Sequence, residues 1–105
     1  MALGRIAVHD IATADTNETL HDFSEASTVD LTVCNRGSSS ATFRVAIVDG
    51  ALGDVASEDY VYYDDTLAAN ESRSLLVREP ISANELILVR ASTSDVSFRL
   101  SGEGS

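Results

Sequence analysis

A chain of 105 residues with 17 Asp and Glu against seven Arg and no Lys has a formal net charge of −10, which argues against nucleic acid as a partner, because binding phosphates needs clustered cations. The length gives one domain, residues 1–105, that buries only about 60–70% of its unfolded surface, so assembly is a natural source of further stability. Cys34 is the single cysteine, which rules out an intrachain disulfide. No apolar run approaches the roughly 20 residues of a membrane span, and Met1-Ala2-Leu3-Gly4-Arg5-Ile6 leads into a strand pattern without a signal-peptide core. These features read as a soluble, unexported chain that folds in a reducing cytoplasm with no membrane partner.

In chain order, strand patterns fall at Leu3–His9, Glu18–Phe23, Ser27–Asn35, Ala41–Val48, Asp59–Asp64, Ser72–Arg78, Leu86–Ala91 and Val96–Ser101. Gly, Asn, Asp, Ser and Pro punctuate the segments between them. The third strand sets Val29, Leu31 and Val33 against Asp30 and Thr32, and the fourth sets Phe43, Val45 and Ile47 against Thr42 and Arg44. With the polar loop between them, these two read as a hairpin of one half-buried sheet. Asp54–Asp59 tolerates a single helical turn. Eight short strands without a helical pattern predict an all-β fold, a single antiparallel β-sandwich of jelly-roll or immunoglobulin-like type.

Two strands depart from simple alternation. In Glu85–Ala91, Leu86 and Leu88 lie on one side and Ile87, Val89 and Ala91 on the other, so both faces call for burial. The face that the sandwich core does not cover is either closed by a loop of the same chain or is a subunit contact, and Ala46 and Val48 raise the same question. In Asp59-Tyr60-Val61-Tyr62-Tyr63-Asp64-Asp65, alternation sends Tyr60 and Tyr62 one way and Val61 and Tyr63 the other, one face core and the other available as an interface.

Catalytic patterns are weak. There is no Gly-x-Ser-x-Gly, and in His9-Asp10 and His21-Asp22 adjacent strand residues point to opposite faces, so neither Asp orients its neighbouring His. Cys34, His9 and His21 have no zinc-ligand spacing, and Cys34, in phase with Asp30 and Thr32, reads as a small structural residue. Glu58, Asp59, Asp64 and Asp65 supply hard oxygens but no calcium-loop pattern, so a solvated acidic edge is the reading, with a bound cation as the alternative. Without Trp, no aromatic sugar cleft accompanies the carboxylates. The sequons Asn17-Glu18-Thr19 and Asn70-Glu71-Ser72 read as accidental in an unexported chain. No enzymatic activity, cofactor or metal is expected.

From Thr28 to Gly102 the order of short pieces resembles that of small β-sandwich virion proteins of tailed bacteriophages. The pieces are Val33-Cys34-Asn35-Arg36-Gly37-Ser38, Arg44-Val45-Ala46-Ile47-Val48, Asp59-Tyr60-Val61-Tyr62-Tyr63-Asp64, Leu67-Ala68-Ala69-Asn70 and Val96-Ser97-Phe98-Arg99-Leu100 running into Ser101-Gly102. The resemblance implies a non-enzymatic structural protein made in the host cytoplasm and located in the virion, on the capsid exterior. There it would be a head decoration (cement) protein that forms a homo-oligomer, a trimer being favoured, and docks on the major capsid protein. A start at Met1 without a fibre extension fits decoration better than a fibre, and an acidic coat suits a particle exterior. A tail, baseplate or fibre-associated module is the alternative, followed by a carbohydrate-binding sandwich. The contact set expected from the residues is Leu3, Ile6, Tyr60, Tyr62, Ile87 and Val89.

Overall fold

The computed structural model describes residues 2–75, 77 and 80–104. Eight strands follow one another: β1 (Ala2–Asp10), β2 (Glu18–Asp22), β3 (Thr28–Asn35), β4 (Ala41–Asp49), β5 (Tyr60–Leu67), β6 (Ser72–Leu75), β7 (Glu85–Ala91) and β8 (Val96–Gly104). They form two four-stranded antiparallel sheets, ordered β1-β8-β3-β6 and β2-β7-β4-β5. The pairs β1·β8, β2·β7, β3·β6 and β4·β5 nest inside one another, as if one long hairpin had been wound around a core. That is a jelly roll and not an immunoglobulin arrangement, in which a four-stranded and a three-stranded sheet carry a different order.

The hairpin expected at Leu31–Gly50 does not form. β3 pairs with β6 and β8, whereas β4 pairs with β5 and β7 in the opposite sheet. Alternation shows that each strand has an apolar row. It does not show whether two such rows lie side by side in one sheet or face each other across the core. Here they face: Val29, Leu31 and Val33 of one sheet and Phe43, Val45 and Ile47 of the other line the same buried cluster. Phe43 and Phe98 meet across the two sheets edge to face, with ring centroids 6.3 Å apart, the arrangement that aromatic quadrupoles favour.

A second, smaller cluster lies on the outer side of the β2-β7-β4-β5 sheet. Ala46, Val48, Leu86 and Leu88 are buried there beneath Leu52, Val55 and Tyr60. The question raised by the two-faced β7 is thus answered within the chain, since the segment between β4 and β5 folds back as a cover. It is built from two 3₁₀ turns, Leu52–Asp54 and Ser57–Asp59, in place of the single turn expected at Asp54–Asp59. In each, the aspartate carboxylate accepts the backbone N–H three residues earlier, Ala51 for Asp54 (3.0 Å) and Ala56 for Asp59 (2.8 Å).

β5 is bulged twice against β4: Phe43 faces Asp65, Val45 faces Tyr62 and Ala46 faces Tyr60. Each extra residue on β5 shifts the phase of alternation. Tyr62 therefore turns inward onto Phe43, centroids 6.0 Å apart, while Tyr60 turns outward onto the second cluster. The expectation that Tyr60 and Tyr62 share a face is corrected by these bulges.

Candidate interaction surface

The six residues expected to make contacts are not gathered into one surface. β1 and β5 occupy the outermost positions of different sheets, at opposite ends of the strand orders. Ile6 is half-buried against the main core and Tyr62 likewise, while Tyr60 serves the second cluster. Ile87 and Val89 have no exposed surface and belong to the core between the sheets. This corrects their assignment to an outer face, because the outward residues of β7 are Leu86 and Leu88. The side chain of Leu3 lies outside the described residues.

What the outer side of the β2-β7-β4-β5 sheet does present is a compact cationic and aromatic group beyond the covering segment. Arg44 of β4 stands directly opposite Arg90 of β7. Its guanidinium donates to both oxygens of Asp64, Nε to Oδ1 at 2.7 Å and an Nη to Oδ2 at 3.1 Å, and lies over the ring of Tyr63, 4.1 Å from the centroid. Tyr63 in turn packs edge to face on Tyr60, centroids 5.0 Å apart. Hydrogen bonding to Asp64 raises the affinity of Arg44 for its proton, and the same bonds hold the Asp64 carboxyl below its usual value. Asp64 reaches Arg44 from a left-handed backbone conformation (φ 53°) inside the bulged stretch. Sequence reading missed this group because a bulge has no residue signature in this strand. Tyr63 and Val61 remain 57% and 41% exposed beside it.

The opposite outer face, on β1-β8-β3-β6, has a shallow groove of about 540 Å³ whose lining mixes small residues such as Thr32, Cys34, Ser72 and Ser97 with Arg99, and has Val8 and Asp10 at one side. Cys34 is half-buried and free, on the outward side of β3 as its phase predicts. His9 and Asp10 do not act together: His9 bonds Glu18 at 2.6 Å and Asp10 pairs with Arg36 at 3.5 Å. Among the described residues, no group of three or more His, Cys, Asp or Glu is placed to hold a metal ion. The acidic residues around β5 are separated by their tasks, Asp59 holding a turn and Asp64 holding Arg44, with Asp65 opposite Phe43.

Glu18 has a structural role. Its carboxylate accepts the backbone N–H groups of Ala12 (3.0 Å) and Thr13 (3.0 Å) as well as the His9 contact, and so ties β1, the following loop and β2 together across the two sheets. Burial alone would raise its pKa, but these hydrogen bonds outweigh that effect and hold it below its ordinary value of 4.5.

No protein-family description, curated protein or solved structure matches this chain.

Proposed function

We propose that the chain is a non-enzymatic structural protein of a tailed-phage virion, a capsid decoration protein that self-associates and docks on the major capsid protein. One observation carries the reading beyond the resemblance itself. Two pieces of the resemblance far apart in sequence, Val33–Ser38 and Leu67–Asn70, are bonded to each other through a buried side chain. The Asn35 amide donates to the carbonyls of Ser39, Leu67 and Ala68, at 2.8, 3.4 and 3.2 Å, and its oxygen accepts the Gly37 N–H at 2.9 Å. The Asn70 N–H donates back to the Gly37 carbonyl. The similar pieces thus include one of the joints that hold the sandwich shut, which supports a shared scaffold rather than a shared reactive site.

A jelly roll with both sheets closed over its own apolar surface is a rigid block, and such sandwiches recur among capsid and lectin domains. Cement binding stabilises a shell because the contact exists only in the assembled state, so mass action favours assembly even when each copy binds weakly. The test is gold-conjugated antibody against this protein on purified virions that contain it. Labelling spread over the head supports decoration, labelling confined to the tail favours the tail-module reading, and absence from intact particles overturns the virion assignment.

A further inference from the structure

We propose that the open half of the outer β2-β7-β4-β5 face, centred on Arg44, Tyr63, Asp64 and Arg90, is where a second copy of this chain docks through its carboxylates. The inference deepens the self-association part of the proposed function and rests on that part alone.

The covering segment between β4 and β5 closes the apolar half of this face over Ala46, Val48, Leu86 and Leu88 and stops short of the half carrying Arg44 and Arg90. Two guanidiniums directly opposite each other on neighbouring strands weaken a sheet by repulsion. Asp64 neutralises Arg44 through two hydrogen bonds and also feels the charge of Arg90, so one carboxylate serves two guanidiniums. A site with an excess of positive charge is thereby left on a chain of net charge −10. The side chains are also fixed in advance: Arg44 is clamped by Asp64 and stacked on Tyr63, which leans on Tyr60, which is seated on the second cluster. Preorganised Tyr and Arg lose little freedom on binding and are the residue types that dominate interface energetics.

The occupant follows from charge complementarity. With 17 Asp and Glu against seven Arg, a second copy carries a large excess of the sign opposite to this site. The contact joins unlike surfaces, cation on one copy and carboxylate on the next, so it is heterologous and closes into a ring where the rotation permits.

The experiment is the mass of the full-length chain in solution by sedimentation, over a range of concentrations, at low, moderate and high salt. Wild type is compared with Arg90→Glu, Tyr63→Ala and Arg5→Glu, the last making the same charge change on exposed Arg5 of the other sheet. Wild type is expected to associate once moderate salt screens the repulsion between two copies of net charge −10, and to dissociate as salt rises further and screens the contact itself. Arg90→Glu and Tyr63→Ala should each weaken association at least tenfold, with Arg5→Glu close to wild type. A wild type that stays monomeric throughout, or equal weakening by Arg90→Glu and Arg5→Glu, overturns the proposal. Circular dichroism establishes folding, and if Arg90→Glu does not fold, Arg90→Gln takes its place with a smaller but still selective loss expected. Failure here leaves the virion assignment standing, because that is read from gold on particles and not from mass in solution.

Discussion

Asn35 has no exposed surface, and its amide serves three backbone carbonyls and one backbone N–H of two loops. Replacing it by Ala strands these groups in a site too tight for easy rehydration, so Asn35→Ala should cost about 2–4 kcal/mol, read as a lower urea midpoint with an unchanged slope. Gly102 is constrained differently. At φ +138° a Cβ would collide with the Thr28 carbonyl and lie 2.9 Å from Val29 Cα, where β8 pairs with β3. Gly102→Ala is therefore expected to lower the melting temperature by several degrees, combining backbone strain with a steric clash. Glu18 gives a pH dependence. Its folded pKa lies below 4.5, so the stabilisation it supplies is complete above 4.5 and is lost as pH falls through the lower folded value. The stability gap between wild type and Glu18→Gln, measured by urea unfolding, should be largest near neutrality and shrink in that acid window. A gap that stays constant with pH would contradict the clamp. Carboxylates are in fact a repeated turn device here. Asp54, Asp59, Glu71 and Glu85 each accept a backbone N–H three residues earlier, so part of the acidity that reads as a solvated coat is structural.

At the scale of elements, all eight strands were legible from alternation and punctuation, although the one expected at Ser72–Arg78 ends at Leu75 within the described residues and positions 76 and 78 lie outside them, and the outward phase of Cys34 was legible too. Pairing was not. Because period-two patterning assigns faces and not partners, β3 and β4 read as a hairpin although they lie in opposite sheets. Phase was lost wherever a bulge intervened, as between Tyr60 and Tyr62. For β7, whose two faces are both apolar, the sequence showed that two covers are needed but not which row meets which. Ile87 and Val89 took the place that Leu86 and Leu88 hold. The cover itself had a readable sign that went unused, the repeated Ala-x-x-Asp of Ala51–Asp54 and Ala56–Asp59. If that segment is the cover, Val55→Asp should uncover Leu86 and Leu88 without unfolding the main core. The expected readout is increased binding of a hydrophobic dye with near-native far-ultraviolet circular dichroism, and unchanged dye binding would contradict the assignment.

For the whole molecule, the nested strand order closes each sheet over apolar rows and leaves two unlike outer faces. One carries a shallow groove on β1-β8-β3-β6 lined by small residues and Arg99. The other is half covered by the chain's own loop and half occupied by Arg44, Arg90 and Tyr63. The contact surface was the least legible part of the sequence, because its residues come from three strands brought together by a bulge. The proposed role makes a demand that a tail module or a lectin does not: the chain must be present in numbers comparable to the shell. Quantitative mass spectrometry of purified virions, giving copies of this chain relative to the major capsid protein, tests that demand most directly. The account predicts a fixed ratio of the same order as the capsid subunit, retained through repeated gradient purification. A ratio of only a few copies per particle, or none, would contradict it.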